Sequence, residues 1–372
     1  MLRQATRGVA FLVLFASVLD SASRGQQPAA ADRVYYRDKK DGSVKQVEGE
    51  LKASPSGFQV VNTDKKVVAT VSPADVIRVV PGEIPGYDRK AIYEPVTDED
   101  KHQWDKARAI HQEMFKKATN APEKVRKYLE FRVGVAAAHA ADDAADDAAA
   151  QAKGEEAVKL LDNFLTAYKT GYEVCPAAEA AARLQLSLVE RKKDGDKETE
   201  RRQFDEAART WGKLAKNASL PPDLRTDAGL QEIDLKIRAH LFSDAAALAG
   251  EMMKSAPAGP VKDRLAIYQL ALNYVEKPNP ADGVPPIEAA IAKTTDPGVR
   301  AAGYGMMGEL YLAAGKPRDA MWQYLWVEVV YNQDKDEVLK ALVRLADTFR
   351  MQGDEDRAKQ YREKVRRLRG AL

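Results

Sequence analysis

The stretch from Ala301 to Tyr331 constrains the fold more than any other part of this chain. Tyr304, Met307, Gly308 and Tyr311 recur at helical spacing, which puts them on one face of a helix. Gly315 interrupts that helix, because a helix C-terminus favours a left-handed residue that satisfies orphan carbonyls. Pro317 suits the first turn of a second helix, where its missing N–H has no partner anyway. Ala320, Tyr324 and Val327 then form the stripe of that second helix. The pattern repeats further on. Leu345, Ala346 and Phe349 occupy the positions of Met307, Gly308 and Tyr311, Gly353 ends the helix, and Ala358, Tyr361, Val365 and Leu368 continue the stripe.

Residues 301–331 and 339–368 therefore resemble the tetratricopeptide repeat, a helix-turn-helix unit of about 34 residues. The resemblance implies that Gly308 and Ala320 are small where the two helices of a unit cross, with tyrosines filling the space around them. Earlier segments match by helix length and small residues only. Pairs are expected at Ala177–Glu190 with Ala207–Leu214, at Asp223–His240 with Ser243–Met253, and at Pro260–Val275 with Pro286–Ala292. Glu156–Tyr168 reads as a further second helix, and Arg191–Arg202 as a solvated connection. That makes roughly five units, enough for a stable stack. The resemblance implies a mainly α fold, a solenoid over residues 97–372, and a protein-binding role without catalysis. First helices line the concave side in this family, so Glu309, Lys340, Asp347 and Arg350 are the expected partner-binding residues. The basic run from Arg357 to Arg369 reads as the polar cap that a terminal repeat needs.

Residues 32–81 have another texture. β-Branched residues replace the helical period, and five short strands are expected near 34–36, 44–51, 57–61, 67–71 and 76–80. The turns fall at Asp41-Gly42, Asn62–Lys65 and Ser72–Asp75. Short strands of this kind need closure or a cover. The pattern resembles small Sm-like or Src-homology-3-like barrels and points to a barrel-like domain over 31–81. At least two of Tyr35, Tyr36 and Phe58 are assigned to its core, the alternative being a peptide-binding groove. Residues 82–96 are rich in Pro and Gly and read as a linker, with a helix starting at Thr97–Asp100 and running to about Ala118. Asp142, Asp143, Asp146 and Asp147 are placed on one face of a longer Ala-rich helix, as a solvated surface rather than a metal site.

The N-terminus carries Arg3 and Arg7, an apolar run from Gly8 to Leu19 and then small residues such as Ser21-Ala22-Ser23. This is the layout of a secretory signal peptide over 1–30, and the apolar run is too short for a comfortable membrane span. Export to a bacterial periplasm or envelope is the expectation, with secretion as the alternative. Cys175 is the sole cysteine, so no internal disulfide can form, and it reads as a small core residue.

The charge balance, 58 basic against 56 acidic residues, demands no nucleic-acid partner. His102, His111, His139 and His240 form no zinc motif, and there is no nucleophile elbow and no phosphate loop. No cofactor and no metal are expected. The working expectation is an exported scaffold that binds a protein or peptide. The alternative is a protein that binds or cleaves glycan or peptidoglycan, since helical solenoids host some glycan-cleaving enzymes.

Overall fold

A computed structural model describes residues 31–371, apart from 39–42, 55–56, 73–74, 192–196 and 219. The expected signal peptide and the Asp41-Gly42 turn lie outside the described residues. Five strands come first: β1 (Asp32–Arg37), β2 (Val44–Ser54), β3 (Gly57–Asn62), β4 (Val67–Val71) and β5 (Val76–Val80). All pairings are antiparallel, in the order β4-β3-β2-β1-β5. The strands fall where the sequence placed them, but the sheet is open. Edge strands β4 and β5 do not pair, so the expected barrel is corrected to an open sheet.

The reason lies in what covers the apolar face. Tyr172, from the loop before α5, packs with Val34, Tyr36, Val60, Val71, Val76 and Val79. Its hydroxyl donates to the Val79 carbonyl at 3.4 Å. This loop residue supplies cover that barrel closure would otherwise have provided. Tyr36 is buried in this cluster and Phe58 packs against it, in line with a core role for two of the three aromatics, while Tyr35 packs against the neighbouring helical core instead. Gly49 pairs with Asp32 on one side and with Asn62 on the other. A Cβ there would sit 1.9 Å from the Val61 carbonyl oxygen, so only glycine fits.

Fourteen helices follow among the described residues: α1 (Arg89–Asp100), α2 (Trp104–Lys117), α3 (Glu123–Asp142), α4 (Asp147–Ala167), α5 (Val174–Arg191), α6 (Lys197–Lys216) and α7 (Pro222–Arg238), then α8 (Phe242–Ser255), α9 (Pro260–Val275), α10 (Pro280–Lys293), α11 (Pro297–Ala313), α12 (Pro317–Val329), α13 (Lys335–Met351) and α14 (Glu355–Ala371). Consecutive helices pack as antiparallel pairs. First helices also pack on first helices, α3 on α5, α9 on α11 and α11 on α13. This is a TPR-like α-solenoid, preceded by the open sheet.

The best-matched unit obeys its steric logic. Gly308 lies under the Tyr324 ring, and a Cβ there would come within 2.5 Å of ring carbons. Ala320 is fully buried beside it. Gly315 has φ +69° and Gly353 φ +79°. The next amides reach back to Tyr311 and Phe349 carbonyls at 2.9 Å, closing each helix end with a Schellman-type bond.

Several expected boundaries move. Residues 82–96 are not a free linker. Asp88 caps α1 through the Ala91 amide at 2.8 Å, and Ile92, Pro95 and Val96 are buried against Leu129 and its neighbours or nearby helices. An internal proline costs a helix about 3 kcal/mol, and burial of this face offsets it. Thr97–Asp100 accordingly ends a helix instead of starting one, and His102 at φ +56° turns the chain into α2. The four aspartates do not share a face. Asp142 ends α3, Asp143 is its C-cap, and Asp146 caps α4 through the Ala149 amide at 2.8 Å. The charged run after Arg191 is helical from Lys197, and α10 starts at Pro280, earlier than Pro286.

Candidate functional site

Among the described residues the solenoid curls until its last helix meets an early one, which narrows its concave side to a cavity. Helix α14 packs against α3. Arg369 of α14 donates to Ser187 Oγ at 3.0 Å and pairs with Glu190, both on α5. Arg183 of α5 reaches Asp336 of α13 at 3.1 Å. Helix α13 is also tied to α9 through Arg264 and Glu337 (3.3 Å), to α7 through Lys340 and Asp234, and to α11 through Arg344 and Glu309 (2.5 Å). The inner faces of the odd-numbered helices thus meet across a charged interior. This corrects the reading of the last helix as a simple polar cap: Arg369 points inward and only 11% of its side chain is exposed.

The local sequence explains the pattern. Glu179, Arg183, Ser187 and Glu190 fall three or four residues apart on α5, and Glu337, Lys340, Arg344 and Asp347 do so on α13. Residues at these spacings share a helix face. Both stripes face inward because their outer neighbours, such as Ala182 and Leu345, fill the apolar seams between helices.

Between the inner faces lies a cavity of about 810 Å³. Its walls combine apolar side chains with paired charges. Glu190 is shared by Arg238 of α7 and Arg369 of α14. Arg344 grips both oxygens of Glu309, at 2.7 and 2.5 Å, and the Tyr324 hydroxyl donates to the same carboxylate at 2.8 Å. Burial and the neighbouring Glu309 hold the Tyr324 hydroxyl well above its ordinary range, so it stays protonated.

At the sheet end of the cavity, Glu99, His111 and Arg132 form a buried network. His111 Nε2 is 3.0 Å and Arg132 Nε 3.1 Å from Glu99 Oε1. Burial would raise the Glu99 carboxyl, but Arg132 and His111 overcome this and hold it at about 2. Burial lowers the pKa of His111, so its ring is neutral at neutral pH. Nε2 then carries the proton that the carboxylate accepts.

The four expected partner-binding residues are placed as follows. Glu309 and Lys340 lie on the cavity wall, and both are bound to the chain's own side chains. Asp347 and Arg350 are further along α13 and pair with one another at 3.5 Å. The sequence reading missed Arg183, Glu190, Asp234, Arg238, Arg344 and Arg369. Their helical spacing was visible, but their partners were not.

A second feature lies on the outside. Trp322, Trp326 and Val329 of α12 and its C-cap Val330 are 60%, 45%, 67% and 42% exposed, and the first three lie on one helical face. Tyr304 stacks on Trp326 (5.6 Å) and on Tyr331 (5.2 Å), forming an aromatic ledge beside the stripe. Among the described residues no helix is long and apolar enough to cross a membrane, and no group of three or more metal-ligating side chains gathers.

No protein-family model and no curated protein matches the chain. Solved structures do. One is a tetratricopeptide repeat protein from Parabacteroides merdae ATCC 43184, with 14% identity and a TM-score of 0.44 over 75% of this chain and 92% of that one. Another is BtubC (BKLC) from P. vanneervenii, with 16% identity and a TM-score of 0.30 over 59% and 90%. The fold assignment rests on the helix pairs described above.

Proposed function

We propose that this chain is an exported, non-catalytic scaffold that docks a protein partner on the outer stripe of α12. The exposure of Trp322 and Trp326 is the observation that carries the reading. A contiguous apolar patch left in water marks a contact surface, and Trp is enriched at the energetic centres of protein interfaces. The stacked Tyr304, Trp326 and Tyr331 already hold one side of that surface in place, so little side-chain freedom is lost on docking. The partner that fits is a helix with an apolar face, laid against α12 as a further helix of the stack would be. Glu309 and Lys340 serve the interior instead, holding the curled solenoid closed.

Export rests on the N-terminal segment, whose charge and apolar run suit a signal peptide. N-terminal sequencing of protein recovered from the envelope fraction tests it. A start between about residues 22 and 32 is expected, and an intact Met1 with cytoplasmic fractionation overturns export.

The docking surface is tested by crosslinking and mass spectrometry with envelope extract. A partner crosslinked around residues 318–331 is expected, and it should be lost in the Trp322→Ala, Trp326→Ala double variant while circular dichroism stays unchanged. A partner that survives the double variant and crosslinks elsewhere sinks the assignment to α12.

A further inference from the structure

The seam that closes the solenoid is built differently from the stack itself. Along the stack each stretch of helices shares an apolar cluster. One cluster runs through α3, α4 and α5, one through α5, α6 and α7, one from α7 to α11 and one from α11 to α14. Among the described residues, no cluster holds a side chain of α13 or α14 together with one of α3 or α5. Polar groups bridge the seam instead: Arg369 with Glu190 and Ser187, and Arg183 with Asp336.

These groups are arranged so that separation leaves the α5 side paired. Glu190 keeps Arg238 of α7 when Arg369 leaves. Arg183 keeps Glu179, one turn earlier on its own helix, at 2.9 Å. Ser187 keeps Asp142 at the end of α3, to which its hydroxyl donates at 2.5 Å. Opening a buried ionic group is costly chiefly because charges are left behind without a partner, and on α5 none is. Asp336 is 40% exposed already and passes to water. The ties of α13 to α7, α9 and α11 join helices of one arm and are kept.

We propose that α14 is an ionic latch: the sheet with α1–α5 and the arm from α7 to α14 separate along this seam and reclose, a hinge-type motion between two packed bodies. Closed, the interior is a cavity of about 810 Å³, the size of a small-molecule site. Open, the charged inner stripes of α5 and α13 become a surface that a larger molecule can reach, so the seam gates access to the interior. Salt favours the open form. The Arg183–Asp336 pair is more than a third exposed on both sides, and about 1 M salt shortens the Debye length to about 3 Å.

The test is small-angle X-ray scattering of the purified protein and of the Asp336→Ala, Arg369→Ala double variant, in about 0.1 M and about 1 M sodium chloride. Circular dichroism and melting curves accompany it. The double variant should keep the wild-type helical signal and a melting temperature close to it. Its radius of gyration and maximum dimension should exceed those of the wild type at the lower salt, and the wild type should shift toward them at the higher. An enlarged, folded variant supports the latch whether or not salt alone opens the wild type. A folded variant with the wild-type radius at about 0.1 M salt overturns it, because the seam then holds without its ionic bridge. If the variant loses its helical signal, the wild-type salt series decides: growth with the helix signal intact supports the latch, and an unchanged radius overturns it. None of these outcomes bears on docking at α12.

Discussion

Arg183 and Asp336 are 153 positions apart in the chain, and their side chains meet at 3.1 Å. The contact joins the third odd-numbered helix to the seventh and so closes the curl of the solenoid. Its energetic weight is small, because both side chains are more than a third exposed, at 35% and 40%, and exposed pairs contribute about 1 kcal/mol or less. Glu190 is the contrasting case. It is 7% exposed and serves both Arg238 and Arg369. Removing one member of a buried ionic group costs about 3–5 kcal/mol, since the remaining charges lose their partner. Glu190→Ala should therefore lower the urea midpoint several times more than Arg183→Ala. The effect of Arg183→Ala should also fade at about 1 M salt, where the Debye length is about 3 Å. Equal effects of the two variants would show that Glu190 does not anchor the closure.

Acid should loosen the junction between α1, α2 and α3 in two stages. The groups that face one another there are Glu99 on α1, His111 on α2, Tyr128 and Arg132 on α3 and Arg78 on β5. His111 titrates lower in the folded chain than its ordinary 6.5, because burial disfavours its charged form. The unfolded chain thus binds the proton first, and His111's contribution is lost as pH falls below about 6.5. Glu99 drops from 4.5 to about 2, so its contribution is complete above 4.5 and is lost as pH falls toward 2. That shift corresponds to about 3 kcal/mol. Melting curves from pH 7 to pH 3 should show a steady decline, and Glu99→Gln should flatten the lower part of it. A melting temperature that does not fall between pH 5 and pH 3 would contradict the network.

Cys175 should be inert in the native protein. It is 8% exposed, and burial raises its thiol to about 11, with Glu179 adding to the effect. Thiolate is the reactive form, so a disulfide reagent at pH 8 should label it slowly in buffer and rapidly in denaturant. Fast native labelling would mean that α5 opens locally.

What the sequence showed plainly was local. Gly308, Ala320, Tyr324 and Gly315 lie within 17 positions of one another, and their spacing encodes the contact they make. The five strands were legible for the same reason, as each is a short alternating run bounded by turn residues. Long-range closure was not legible. Arg369 and Glu190 are 179 positions apart, and a charged stripe such as Glu179, Arg183 and Glu190 reads the same whether it faces water or another helix. Helix α1 was hidden by local chemistry that tertiary packing overrides: Pro95 and the Gly and Pro before it signal a loop, yet Ile92 and Val96 are buried in the helical core. The open sheet was misread because its cover, Tyr172, comes from a loop about 90 positions away.

Two glycines on α11 separate the effect of packing from that of helix propensity. At Gly308 a Cβ would be 2.5 Å from the Tyr324 ring, which is itself fixed by its hydroxyl on Glu309. The ring cannot swing away without giving up that bond, so Gly308→Ala forces the α11–α12 pair apart. Overpacking of this kind costs about 1–3 kcal/mol. At Gly305, one turn earlier, a Cβ would meet nothing within 4 Å. There Ala brings only its helix advantage, about 0.5–1 kcal/mol. The same Gly→Ala change on one helix should therefore lower the melting temperature at position 308 and raise it at position 305. Tyr324→Phe in the Gly308→Ala background should recover part of the loss, because the ring is then free of Glu309. If both glycine variants are stabilising, the close crossing of α11 and α12 is not the constraint that holds Gly308 in place.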